Sequence, residues 1–162
     1  MKLLQVITTG GTIDKIYFDA KSDYEIGEPE IARILTDMEV AFRWQVQPLL
    51  RKDSLQLTDA DRELVRRAVE ASGARYFLIT HGTDTMVETA RALEGLGDRV
   101  IVLTGALNPA RFIGSDAVFN IGCAVGAVQC VPAGAWIAMN GRVWDPRKVR
   151  KNREANRFES IQ

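Results

Sequence analysis

The sequence predicts an α/β protein: a doubly wound, mostly parallel sheet flanked by helices in a Rossmann-like three-layer arrangement, with a C-terminal hairpin. Three observations carry this. Short apolar, β-branched runs recur along the chain, segments with helical apolar spacing separate them, and glycine-bearing turns directly follow three of the runs.

LLQVI, residues 3 to 7, is the first strand. GEPEIARILTDM, 27 to 38, reads as a helix, because Ile31, Ile34, Leu35 and Met38 fall on one face and Glu28 and Glu30 put negative charge in its first turn. FRWQVQPLL alternates from residue 42 as a second strand. A helix then opens at Thr58 with Asp61 three residues on, turns Leu64, Val65, Ala68 and Val69 inward, and stops near Gly73. RYFLIT, 75 to 80, is the third strand, Thr85 to Leu96 the next helix, and RVIVLTG, 99 to 105, the fourth strand. A loop with Asn108 and Pro109 leads to a helix from Ser115 to Gln129. GAWIAM is the last clear strand, and Asn140-Gly141 reads as a tight hairpin turn into RVWDPRKV. After Val149 the chain is polar and charged without apolar period, which predicts a loop or a segment ordered by a partner. The expected organisation is one domain over 1–150 and a polar tail over 151–162.

At 162 residues and 46% hydrophobic content the chain can bury a core of its own. Its 21 basic and 21 acidic residues cancel, so no global field steers it to nucleic acid or an anionic membrane. No apolar stretch approaches the roughly 20 residues of a bilayer span, and MKLLQVITTGG has no long apolar core, which together give a cytoplasmic expectation. Cys123 and Cys130 lie seven apart in an apparent helix, about 10 Å between Cα atoms, too far for a disulfide. They read as reduced core residues, and no Cys/His cluster suggests a metal.

The three glycine-bearing segments, around Thr9 to Thr12, His81 to Thr85 and Gly105 to Asn108, share the carboxyl rim of a parallel sheet, where such folds bind ligands. Gly10-Gly11 belongs to neither a phosphate-loop nor a dinucleotide fingerprint, so a tight turn is the plainer reading. The single histidine, His81, and the absence of a G-x-S-x-G elbow make a conventional Ser-His-Asp hydrolase hard to build. A threonine can still act as nucleophile where a base removes its proton, and an unprotonated lysine beside a carboxylate is such a base. Thr12, Thr83, Asp84 and one lysine are the parts. Local spacing alone also allows Thr12 and Thr83 as turn residues, Asp84 as a helix N-cap and Lys151 as a solvated cation.

TTGGTID (8–14) and HGTDTM (81–86), with KSDYEIG (21–27), DSLQLTDADR (53–62), LTGALNPARFIGSDAVFN (103–120) and MNGRVWDPRKVRKN (139–152) in the same order, resemble the signature regions of the bacterial-type L-asparaginase family over essentially the whole chain. The resemblance implies hydrolysis of L-asparagine to L-aspartate and ammonia without cofactor or metal. It implies that Thr12 is the nucleophile, that Tyr24 assists its proton transfer, and that Thr83, Lys151 and Asp84 form a set activating water or positioning substrate. By the same likeness Ser54 holds the α-carboxylate, Asp84 meets the α-amino group, and N–H groups of Gly11, Thr12 and Thr83 form the oxyanion site. Gly82 and Ala106 line the pocket, and Leu55 contributes only a backbone N–H where relatives often carry a polar side chain.

Leu107-Asn108 replaces a frequent Met-Arg. Family members usually carry a second domain that completes the site of a neighbouring copy, so a homo-oligomer, dimer or tetramer, is expected. Competing functions are an amidase acting on glutamine, a D-amino acid or a larger amide, and a module that binds an amino acid without turning it over.

Overall fold

The computed structural model describes residues 1–161. In chain order it contains β1 (Leu3–Thr8), β2 (Lys15–Phe18), β3 (Asp23–Ile26), α1 (Ile31–Asp37), β4 (Arg43–Pro48), α2 (Asp59–Ala71), β5 (Tyr76–Thr80), α3 (Met86–Ala92), β6 (Val100–Thr104), α4 (Ala117–Val128), β7 (Gly134–Met139), β8 (Arg142–Trp144), β9 (Val149–Asn152) and β10 (Arg157–Ser160). The main sheet has the order β4-β1-β5-β6-β7-β8, parallel except for β8. The fold is the expected three-layer α/β arrangement.

Alternation along each strand splits the core in two. Ile7, Phe77, Ile79, Ile101 and Leu103 face α2 and α3 with Val65, Val69, Met86, Ala90 and Leu93. Leu4, Val6, Leu78, Val100 and Val102 face α1 and α4 with Ile31, Ile34, Leu35, Ile121, Ala124 and Val128. Helices thus cover both faces, and the chain reverses its winding between β1 and β5. The carboxyl ends of those two strands are the topological switch point, where an open parallel sheet leaves a crevice.

Helix starts follow local chemistry. Thr58 accepts the Asp61 N–H at 3.2 Å and Asp61 accepts the Thr58 N–H at 2.9 Å, a reciprocal cap on α2. Asp84, by contrast, makes no side-chain cap; α3 begins after Thr85. Asn140 and Gly141 both have positive φ, as a two-residue turn between β7 and β8 requires.

Two expectations are corrected, and one strand pair is added. The chain after Val149 is not a loop: β9 and β10 pair antiparallel, and Val149 and Phe158 sink into the α2/α3 side of the core. A second antiparallel pair, β2 with β3, occupies a stretch for which the sequence suggests no element. Cys130 is exposed because it lies beyond the end of α4 at Val128, while Cys123, within α4, is half-buried against the α1/α4 side of the core; both thiols are free. Among the described residues, no helix is long and apolar enough to cross a membrane.

Candidate active site

Backbone contact, not side-chain packing, builds the rim. The Thr9 N–H and hydroxyl both donate to the Thr80 carbonyl, at 3.0 and 2.9 Å, and the His81 N–H donates to the Thr104 carbonyl at 2.9 Å. The turns after β1, β5 and β6 are thereby stitched side by side. Glycine permits the closeness: a Cβ on Gly11 would stand 2.5 Å from the Gly82 Cα, and one on Gly82 would stand 2.6 Å from the Ser54 Cβ. A Cβ on Gly105 would overlap the His81 carbonyl. Gly10 and Gly11 have φ of 96° and 93°, which also disfavours any side chain.

His81 is completely buried, with Nδ1 2.6 Å from the Gly82 carbonyl and Nε2 2.8 Å from the Thr89 hydroxyl. Burial pushes its pKa down to about 4, so it is a neutral strut, as the turn reading expects.

Thr12 opens a single 3-10 turn, Thr12–Asp14, immediately after the glycine pair and is half-buried. As first residue of that turn its N–H has no partner within it. Thr83 is buried, and its hydroxyl accepts the Lys151 ammonium at 2.9 Å. Lys151 also donates to Asn156 Oδ1 at 2.9 Å. Burial holds the Lys151 pKa below the ordinary lysine value; Asp84 and Asp116 push it back up and Arg153 pushes it further down. Asp84 is half-buried, with the Arg153 Nε 4.0 Å from its Oδ1. Residues 68 positions apart are thus in contact at one point of the rim.

Ser54 is buried under Gly82. Its hydroxyl accepts the Asp84 N–H at 3.2 Å and its carbonyl accepts the Thr85 hydroxyl at 2.7 Å, so it is tied to the Thr83–Asp84 turn. The Leu55 side chain is exposed, and its N–H already donates to Asp53 Oδ1 at 3.2 Å. Ala106 is buried among the residues that pack on α4. Tyr24 lies on β3: 47% exposed, its ring meets Tyr17 and Phe112 at centroid distances of 5.4 and 5.9 Å, and its hydroxyl has no hydrogen-bond partner among the described residues.

With this geometry in place, comparison with known proteins is decisive. The sequence model of the family described as Asparaginase, N-terminal, matches residues 3–162. The chain belongs to the asparaginase family. It is 30% identical over 170 residues to an L-asparaginase of Bacillus licheniformis, covering 96% of this chain and 51% of that protein. It is also 30% identical over 128 residues to one subunit of a glutamyl-tRNA(Gln) amidotransferase of Thermoplasma acidophilum, covering 75% of this chain and 31% of that one. The solved thermostable L-asparaginase of Thermococcus kodakarensis superposes with a TM-score of 0.84 at 27% identity, over 98% of this chain and 51% of that one. The chain therefore spans about half the length of the L-asparaginases it matches.

Sequence reasoning overlooks Asn156 and Asp14. Asn156 lies in the segment read as a loop, and the only sequence signal is the tolerance of asparagine for positive φ, here 47° at the β9–β10 turn. Asp14 looks like an ordinary polar turn residue, yet it is 2% exposed.

Proposed function

We propose that this asparaginase-family chain is an amidohydrolase converting L-asparagine to L-aspartate and ammonia, with Thr12 as nucleophile. The observation that carries the reading is the contact between Lys151 and Thr83 beside Asp84, on the same rim as the Gly10-Gly11-Thr12 turn. A lysine whose ammonium form is disfavoured by burial, touching a threonine hydroxyl, is equipped to take a proton from it or from a water between them.

In the proposed sequence the Thr12 hydroxyl attacks the side-chain amide carbon, and the N–H groups of Gly11, Thr12 and Thr83 hold the oxyanion. Ammonia leaves with a proton relayed through Tyr24, and water guided by Thr83, Lys151 and Asp84 hydrolyses the acyl-enzyme. Ser54 and Asp84 take the substrate's α-carboxylate and α-amino group, whose two charges need partners once removed from water. Gly82 and Ala106 form the wall, and the chemistry draws on no cofactor or metal. In this reading the β2–β3 hairpin carries the Tyr24 hydroxyl that serves Thr12. A homo-oligomer and a cytoplasmic address go with this reading.

A larger amide is the second reading, favoured by the relatives that belong to transfer-RNA amidotransferases. Ammonia release compared for L-asparagine, L-glutamine and a panel of larger amides decides between them: asparagine selectivity supports the first reading, and turnover confined to larger amides replaces it. A melting shift with asparagine but no ammonia from any amide would indicate a binding module. Sedimentation showing a fully active monomer would remove the oligomer.

A further inference from the structure

The base of the β2–β3 hairpin closes on a buried carboxyl that the proposed reaction leaves unused. Asp14 ends the turn that Thr12 opens. Its Oδ1 accepts the Glu30 N–H at 2.9 Å and its carbonyl accepts the Gly27 N–H at 2.7 Å. The entire hairpin, Lys15 to Ile26, lies between these two joints, so its entry and exit are clasped by one residue. Asp14, Gly10, Gly27, Pro29, Leu50 and Arg51 also line a cavity of about 170 Å³, which leaves water a short way in.

We propose that Asp14 is a positioning residue: a latch that holds the base of the hairpin shut and so fixes the strand of Tyr24 relative to Thr12. The role rests on the reading of Thr12 and Tyr24 given above. A carboxylate serving only to cap a turn is normally solvated or paired with a cation. Asp14 is neither: Arg51 is near but its guanidinium is bonded to Glu28, while Arg33 and Arg111 are bonded to Glu30. Glu30 and Glu28 oppose ionisation of Asp14, and Arg51 and the Glu30 N–H favour it. Burial dominates and raises its pKa from 3.8 to about 7.

The sign follows from linkage. The shut hairpin binds a proton that a solvated Asp14 would release, so closure is most favoured below the solvated value and weakens as pH rises through about 7. The loss accumulates between the solvated value of 3.8 and about 7 and is complete once the buried carboxyl is ionised.

Amide exchange at Gly27 and Glu30, corrected for the intrinsic dependence on pH, tests this on the full chain. Protection in the wild type should fall by about tenfold between about pH 6 and about pH 8. In Asp14→Asn, whose neutral side chain can accept the same N–H, it should stay level. The wild-type kcat for L-asparagine should carry an alkaline fall that Asp14→Asn lacks, and Asp14→Ala should lower kcat at every pH with little change in KM. Wild-type protection independent of pH overturns the latch whether or not ammonia is released, and needs no variant to fold. Titrating protection in a chain that releases no ammonia keeps the latch and overturns the catalytic reading. Titrating protection with the same kcat profile in wild type and Asp14→Asn overturns the link to Thr12.

Discussion

Two small antiparallel pairs stand outside the main sheet, and each carries one proposed proton handler. β9–β10 carries Lys151 and β2–β3 carries Tyr24. They differ in how they are held. Val149 and Phe158 anchor the first in the core, at 0% and 4% exposure, whereas Tyr17, Phe18 and Tyr24 on the second are all at least 40% exposed. The second is fixed at its base, by Asp14 and by the Lys15–Asp53 pair at 3.0 Å. A hairpin seated by apolar burial holds its functional group through the core; one tied at its base depends on those few polar joints. The amine against Thr83 is thus held by core burial, whereas the placement of Tyr24 depends on the joint at the base of its hairpin.

The largest effect should come from unseating the anchored hairpin. Phe158→Ala removes a buried aromatic ring and should cost about 3 to 5 kcal/mol in denaturant unfolding, whereas Tyr17→Ala on the base-tied hairpin should cost less than about 1 kcal/mol. Equal costs would erase the distinction between the two.

Next comes the amine itself. Lys151→Met should lower turnover by about 10²- to 10⁴-fold with a smaller change in stability. In the wild type the depressed lysine value means that the free amine appears at lower pH than in a solvated lysine, so the turnover profile should include a rising lysine limb below 10.5, separate from the fall set by Asp14. Loss of that limb in Lys151→Met would assign it; its persistence would assign it elsewhere.

Tyr24→Phe should reduce kcat by about tenfold to a hundredfold and leave the unfolding midpoint unchanged, since the hydroxyl has no partner among the described residues. A fall in stability would show the hydroxyl is already engaged. Lys15→Met should have the smallest effect, about 0 to 1 kcal/mol, because the pair it breaks is partly solvated; a large loss would mean the base-tied hairpin is as firmly fixed as the anchored one.

How far the sequence is legible depends on how each element reaches its burial. The parallel strands are readable because LLQVI, YFLIT and VIVLT are mostly apolar runs buried on both faces. The α2 start is readable because the reciprocal Thr58–Asp61 cap is local. β9–β10 escapes because its anchors, Val149 and Phe158, are nine residues apart with charge between them and meet the core only once paired. β2–β3 escapes because its side chains are largely exposed and follow no period set by a core. At the site, the glycine turns mark the rim in the sequence, but which glycine faces which is a tertiary fact: Gly11 meets Gly82, and Gly105 meets the His81 carbonyl. The burial of Asp14 is equally invisible, since it depends on the chain returning at Gly27 and Glu30.

The central claim is that a threonine on the glycine turn after β1 attacks the amide of asparagine. Ammonia release from L-asparagine and L-glutamine by the full chain, beside its Thr12→Ala variant, tests it most directly. The account predicts asparagine-selective release that falls by about 10³-fold or more in the variant. Release from folded Thr12→Ala at the wild-type rate, or no release from the folded and assembled wild type, would contradict it.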